Sequence, residues 1–206
     1  MKYVSADEAV KLVKSGDWVF FQGSTAVPVI IQEALARRAD ELRGVNIVSG
    51  FNITKGPAPF CKPEYKDSFF VNSLFLCADQ RQYVAQGYGS LIPGFLGEFP
   101  SLIRRHEIPI DVACINCSLP DENGYCSYNI SADLAQPAVE SAKIVIAQVN
   151  KSIPYLYGTA MIHESRITAA IECDDPPVDM RVGPAAHADL EAIAVLVRKR
   201  ADGCDR

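Results

Sequence analysis

The sequence predicts an α/β fold in which a mainly parallel sheet is flanked by helices. Its 206 residues, 49% hydrophobic and 22% charged, are enough to bury a substantial core. Segments with helical periodicity alternate with short apolar runs, and this alternation is typical of parallel sheets. The runs are rich in strand-forming residues and lie at residues 18–21, 45–48, 111–115 and 143–149.

The first elements can be placed from their terminal residues. Ser5 and Glu8 form a capping box that opens a helix, and Gly16 ends it. The run at residues 18–21 is too short for a helix and predicts a buried strand. Pro28 suits the first turn of a second helix, because its missing N–H is one that the helix would not use.

The later elements follow in chain order. We expect a strand at 45–48, a loop at 51–59, a strand at 68–76, a short helix at 79–86, an extended segment at 90–93, a helical segment at 98–105, a strand at 111–115, a turn at 120–125, a helix at 131–142 and strands at 143–149 and 167–171. Residues 174–179 have linker composition, and residues 187–200 predict an amphipathic helix.

This organisation predicts one α/β domain at residues 1–173. Residues 174–206 are then a linker and a terminal helix that lead towards a further domain, absent from this sequence. We therefore expect the chain to be part of a longer protein.

The composition argues against several classes of partner. The net charge is −5 and no basic stripe is present, which argues against nucleic acid as the main partner. No apolar run is long enough to span a membrane, and the N-terminus lacks a signal-peptide core, so we expect a cytoplasmic protein.

The cysteines predict reduced thiols. They number seven, an odd count, and are scattered along a chain without a secretion signal. Cys114 and Cys117 form a CxxC pair, but no second pair is placed to complete a zinc site. We expect no metal, and a redox or metal role for this pair is the remote alternative.

Gly23-Ser24-Thr25 is the first candidate for a binding turn. It follows the first predicted strand, and ligands of open α/β sheets bind beyond the carboxyl ends of the strands. Its backbone N–H groups are suited to an anion. A plain connection between a strand and a helix explains the same residues equally well.

Several stretches together resemble the acetyl-CoA hydrolase/transferase family, which includes 4-hydroxybutyrate and acetate CoA-transferases. Within them, Gly97 stands where a serine is usual, and Leu119 and Asn123 also depart from the family pattern. In order, the stretches are residues 23–28, 90–100, 111–113 with 118–127, 142–150 and 162–163. The resemblance covers only the N-terminal half of such enzymes.

The resemblance implies covalent catalysis by a glutamate carboxylate that attacks an acyl-CoA thioester. An acyl–glutamyl anhydride forms first, then a glutamyl-CoA thioester, and an incoming carboxylic acid takes the CoA. That glutamate belongs to the second half, so no catalytic residue is expected in this chain, which would be inactive alone. The implied substrates are acyl-CoA and a small carboxylate, with coenzyme A as the group transferred.

Seven residues are candidates for lining the substrate site. Glu98 is a carboxylate in a constrained place, although it is equally suited to capping the following helix. Asn150 ends a predicted strand, and His163 matches the family's Ile-His pair. The candidates are Gly23, Ser24, Thr25, Glu98, Ser127, Asn150 and His163.

Two functional hypotheses stay open at this stage. In one, the chain is half of a CoA-transferase or of an acetyl-CoA hydrolase. In the other, it is a non-catalytic module that binds CoA or associates with itself, because the face left uncovered by the missing half would be apolar.

Overall fold

The computed structural model, which describes residues 1–177, contains one seven-stranded sheet in which every pairing is parallel. Its strands are β1 (Trp18–Phe21), β2 (Val45–Ser49), β3 (Phe69–Ser73), β4 (Gly89–Leu91), β5 (Val112–Cys117), β7 (Ile144–Asn150) and β9 (Ala169–Cys173). The strand order is β4-β3-β2-β1-β5-β7-β9. The predicted fold class is confirmed.

A separate antiparallel pair joins β6 (Tyr125–Ser127) to β8 (Met161–His163). Sequence patterns did not predict it, because strands of three residues are too short to show a period of two.

Residues 1–177 contain five α-helices, of which the first precedes β1 and the others connect strands. They are α1 (Ala6–Ala9), α2 (Val29–Ala36), α3 (Ala78–Ala85), α4 (Phe99–Arg104) and α5 (Ala135–Ser141), with 3-10 turns at Val10–Leu12, Pro63–Tyr65, Asn129–Ser131 and Glu164–Arg166. The helix expected from residue 131 begins only at Ala135, which leaves Pro137 in the first turn, where a proline is tolerated. The terminal helix expected at 187–200 lies outside the described residues.

The helices cover both faces of the sheet. Val19 and Phe21 pack in one core cluster with residues of α1, α2 and α3. Phe20 points the opposite way and packs with residues of α4 and α5. This alternation is the period-two pattern of a strand buried on both sides, so β1 lies at the centre of the molecule.

The N-terminal segment lies against the last strand. The N–H of Val4 donates to the carbonyl of Ala170 over 2.9 Å, and the N–H of Ala170 donates to the carbonyl of Lys2 over 2.8 Å. Tyr3 and Ala170 thus form a parallel bridge alongside β9. This contact covers part of an outer strand that would otherwise offer unpaired backbone groups.

The CxxC pair is divided between the two faces of β5. Cys114 packs in the core cluster with α2, whereas Cys117 packs in the cluster with α4 and α5. Residues three apart on a strand point in opposite directions, so these two thiols do not share a site. Burial raises the pKa of the Cys114 thiol far above its usual range. The six cysteines among the described residues are all free.

Candidate functional site

The candidate site lies at the carboxyl edge of the sheet, between β1 and β5. From β1 the chain first moves outward through β2, β3 and β4, and then returns to build β5, β7 and β9 on the other side. The connections that leave β1 and β5 therefore diverge and open a crevice. This reversal of strand order is where α/β sheets usually bind their ligands.

Gln22 joins the two strands at this crevice. Its side chain is fully buried, and its Oε1 accepts the backbone N–H of Asn116 over 2.7 Å. Its Nε2 donates to the carbonyls of Tyr128 and Ser131 over 3.1 and 3.0 Å. Gln22 was not predicted as a functional residue from the sequence. The sequence signal for it is a polar glutamine that directly continues an apolar strand.

The predicted binding turn is itself held in place by the connection after β2. Ser24 has a φ of 56° and forms a parallel bridge with Asn52. Its N–H donates to the carbonyl of Phe51, and its own carbonyl accepts the N–H of Ile53 over 3.0 Å. A Cβ on Gly23 would lie 2.5 Å from the Phe51 oxygen, so this close approach requires glycine.

This bonding has a direct consequence for anion binding at the turn. The Ser24 amide already has an acceptor, so it is not a free donor in this arrangement. Thr25 lines a cleft of about 370 Å³ between α2 and the sheet, which also reaches Gln32, Asn116 and Gln148. We call it the amide cleft, after these three side chains. A substrate-binding role for Gly23, Ser24 and Thr25 remains a prediction.

A second, apolar groove of about 560 Å³ opens at the same edge on the face covered by α4 and α5. Phe95 is 80% exposed and Leu96 is 59% exposed, although both are large apolar side chains. We call this the aromatic groove, lined by Phe51, Phe75, Phe95, Leu96, Phe99 and Leu134. Since the carbonyl of Phe51 also bonds the β1 turn, the groove begins directly beside that turn.

Glu98 stands at the N-terminus of α4, next to the aromatic groove. Its carboxylate Oε2 accepts the N–H of Phe95 over 3.0 Å, so it closes its own loop. The bond is to the loop before α4 and not to the helix: the Glu98 side chain makes no capping hydrogen bond to α4, so the expected capping alternative is wrong. Contact between Glu98 and substrate stays a prediction.

Ser127 and Asn150 both bind loops of their own chain. The Ser127 Oγ donates to the carbonyl of Leu156 over 2.8 Å. The Asn150 Nδ2 donates to the carbonyl of Asp175 over 2.7 Å, and its Oδ1 accepts the N–H of Ser152 over 3.0 Å. Both side chains are fully buried, which fits a structural role, and no substrate contact follows from these bonds.

His163 lies on β8, within the antiparallel pair. Its Nδ1 is 2.8 Å from the Oγ of Ser165 and also accepts the Ser165 N–H. Its ring meets the ring of Tyr125 edge-on, with 5.1 Å between centroids. The seven sequence candidates thus fall on the β1 turn, just before α4, at the end of β7 and on the β6–β8 pair.

Asp79 is a buried acid that sequence reasoning missed. It opens α3, and its Oδ2 accepts the Nδ2 of Asn52 over 2.9 Å. Burial raises the pKa of its carboxyl, and the hydrogen bond from Asn52 opposes that rise. The position of Asp79 one residue into a predicted helix was the available signal. The pair anchors the connection that carries Phe51.

No three His, Cys, Asp or Glu side chains in residues 1–177 are grouped so as to hold a metal ion. No helix in the same range is long and apolar enough to cross a bilayer.

Residues 1–180 match the model of the acetyl-CoA hydrolase/transferase N-terminal domain. The chain belongs to this family. It is 35% identical over 190 residues to the 4-hydroxybutyrate coenzyme A transferase of Clostridium kluyveri, and the match covers 92% of this chain and 43% of that protein. It is 31% identical over 204 residues to the butyryl-CoA:acetate CoA-transferase of Anaerostipes caccae, which covers 95% of this chain and 44% of that one.

A solved family structure has the same fold. The 4-hydroxybutyrate CoA-transferase of Porphyromonas gingivalis superposes with a TM-score of 0.71 at 32% identity, and covers 89% of this chain and 42% of that chain. The acetyl-CoA hydrolase/transferase chain described here therefore spans less than half the length of the relatives it matches.

Proposed function

We propose that this chain is the N-terminal part of an acyl-CoA:carboxylate CoA-transferase and forms one wall of its acyl-CoA site. In this proposal residues 1–173 are the domain, and residues 174–206 lead to a second half. That half supplies the glutamate nucleophile, so the chain alone is inactive. The substrates are an acyl-CoA and a small carboxylate such as acetate or 4-hydroxybutyrate, and the protein works in the cytoplasm.

The aromatic groove is the observation that carries this proposal. It opens at the carboxyl edge of the sheet, where family membership leads us to expect an acyl-CoA. Its exposed phenylalanines would be covered when an acyl chain binds, and burial of apolar surface favours binding. The relatives in Clostridium kluyveri and Anaerostipes caccae carry names of 4-hydroxybutyrate and butyryl-CoA transferases, which supports short acyl groups.

The test compares the 206-residue chain with the whole protein that continues into the second half. We expect CoA to pass from butyryl-CoA to acetate in the whole protein and not in the 206-residue chain. Phe95→Ser in the whole protein should lower kcat/KM for butyryl-CoA about tenfold, because it removes apolar contact with the acyl group.

Tyr157→Ser is the matched control, since Tyr157 is 88% exposed but does not line the groove. It should leave kcat/KM unchanged. Absence of transfer in the whole protein would refute the proposal. Hydrolysis of butyryl-CoA with no transfer to acetate would favour an acetyl-CoA hydrolase half instead.

Self-association without catalysis is the second candidate, and the exposure of Phe95 and Leu96 favours it. Sedimentation of the 206-residue chain tests it. A dimer that Phe95→Ser dissociates would support the self-associating module, whereas a monomer would exclude it.

A further inference from the structure

The amide cleft contains three buried side chains, each with at least one amide atom that lacks a hydrogen-bond partner within residues 1–177. Gln32 is 1% exposed, Gln148 is 2% exposed and Asn116 is 5% exposed. Within residues 1–177, both amide atoms of Gln32, the Oδ1 of Asn116 and the Oε1 of Gln148 make no hydrogen bond, although the Gln148 side chain also bonds Cys173. All three residues line the same space of about 370 Å³.

The fold brings these amides together from three elements. Asn116 on β5 and Gln148 on β7 are register partners in the parallel sheet. Each follows by two residues a side chain that packs towards α2, namely Cys114 and Ile146, so both point to that face. Gln32 lies on α2, which covers the same face. The amides therefore converge from the sheet and from the helix above it.

A structural glutamine in this fold has a different environment. Gln22 is just as buried as Gln32, yet its amide oxygen and nitrogen are bonded to Asn116, Tyr128 and Ser131. Buried polar groups in native proteins are nearly always paired, and an unpaired one disfavours the folded state. Four unpaired amide atoms from three side chains around one cleft therefore indicate a site that a ligand completes.

The lining of the cleft restricts the chemistry of this ligand. The three buried amides are neutral, and the walls beside them include the apolar Val27 and Ala58. The charged lining residues Glu33, Lys55 and Asp175 are all exposed and stand at the rim. The buried part of the cleft therefore suits a neutral group that has amides or hydroxyls and apolar carbon, and not a phosphate.

We propose that the amide cleft binds the pantetheine arm of coenzyme A. This inference rests on the proposed function, in which acyl-CoA is the substrate. Pantetheine carries two amides, a hydroxyl and two methyl groups, whereas the rest of CoA is an anionic nucleotide. Its amides would pair with Gln32, Asn116 and Gln148, and its methyl groups would lie against the apolar wall.

The test uses the 206-residue chain, reduced pantetheine and the side-chain amide signals in ¹H–¹⁵N NMR spectra. Pantetheine should shift the Gln32 signals, which are assigned by their loss in Gln32→Met. That variant should bind pantetheine about three- to tenfold more weakly, because it removes uncharged hydrogen bonds. Its Tm should rise by about 2–4 °C, because an unpaired buried amide is replaced by an apolar side chain of similar shape.

Two further variants complete the design. Gln148→Met should also weaken pantetheine binding and serves if Gln32→Met fails to fold. Gln82→Met is the control, because Gln82 is exposed and outside the cleft, and it should change neither binding nor Tm.

The outcomes separate this inference from the proposed function. If pantetheine leaves the Gln32 signals unshifted, or binds the Gln32 and Gln148 variants as tightly as the parent, the inference is wrong, even if the whole protein transfers CoA. If pantetheine binds in the cleft but the whole protein transfers no CoA, the proposed function fails while the cleft assignment holds. Binding of 3′,5′-ADP alone, with no effect of pantetheine, would also overturn the inference.

Discussion

The side chain of Gln22 and the backbone of Asn116 form a 2.7 Å hydrogen bond across the two central strands. The bond lies where the chain reverses its direction of strand addition, so it holds the crevice at a fixed width. The same amide also fixes the segment after β6 through Tyr128 and Ser131. One neutral side chain thus ties three connections at the candidate site.

We expect Gln22→Met to destabilise the protein by about 2–5 kcal/mol, because it leaves a buried N–H and two carbonyls without their partner. Urea unfolding followed by circular dichroism measures this change. Gln82→Met, at an exposed position, should stay within about 0.5 kcal/mol of the parent. A similar loss in both variants would contradict the assigned role of Gln22.

Gly23→Ala should destabilise the β1 turn, because the new Cβ would lie 2.5 Å from the carbonyl oxygen of Phe51. We expect a loss of about 1–3 kcal/mol and faster amide exchange at Ser24, whose N–H bonds that same oxygen. Gly97→Ala is the matched control, since nothing lies within 4 Å of its added Cβ. Equal stability of the two variants would show that the turn can relax.

Protonation of Asp111 should make the protein less stable in acid than at neutral pH. Burial disfavours its ionised form, but hydrogen bonds from the Trp18 N–H and the Lys143 ammonium outweigh burial and lower the pKa of the carboxyl. A lowered pKa stabilises the fold above the unfolded-state value of about 3.9, and this stabilisation is lost as pH falls through the folded-state pKa.

The test for Asp111 compares the free energies of unfolding of the parent and of Asp111→Asn, measured by chemical unfolding at neutral and at acidic pH. At neutral pH the parent should be more stable by about 1 kcal/mol, since the exposed Lys143 is screened by water. The difference should vanish in acid. Lys143→Met, which keeps the Trp18 bond, should show a smaller effect. A gap that persists in acid would rule out ionisation of Asp111 as its source.

Asp79 should have the opposite dependence on pH. Burial raises the pKa of its carboxyl, so the folded state favours the protonated form. The stability of the parent relative to Asp79→Asn should therefore fall as pH rises above about 3.9, the unfolded-state value, towards the raised pKa. We expect the asparagine variant to gain about 1–3 kcal/mol at neutral pH, because burial disfavours the ionised carboxylate in the folded state.

Asp79→Ala separates charge from hydrogen bonding. It removes the charge, as Asp79→Asn does, but also the acceptor of the Asn52 amide, so it should be less stable than Asp79→Asn at every pH. If Asp79→Asn instead lost stability relative to the parent as pH rose, the carboxylate would be favoured by a contact that residues 1–177 do not show.

The sequence predicted the central strands well, because their signals are local. The bounds of β1 follow from four apolar residues between Asp17 and Gln22, and Gly16 and Gly87 both adopt positive φ after predicted helices, at 84° and 85°. The β6–β8 pair joins residues far apart in the chain, and three-residue strands carry no periodicity. Only contacts between distant segments define it.

The site was harder to predict for the same reason. Gln32, Asn116 and Gln148 are unremarkable in sequence, and their convergence depends on strand order and register. The sequence did place Gly23, Ser24 and Thr25 just beyond the carboxyl end of β1. It could not show that the Ser24 amide bonds Phe51, because that bond joins two loops.

The bridge between Tyr3 and Ala170 has a consequence for the order of assembly during translation. Tyr3 and its neighbours leave the ribosome before β1, yet their strand partner is Ala170 in β9. They must therefore stay unpaired while β1 to β7 are synthesised and can join the sheet only when β9 emerges. A fusion or charge at Lys2–Val4 would then act late, on the closure of the finished sheet, and would leave the earlier strand pairings to form normally.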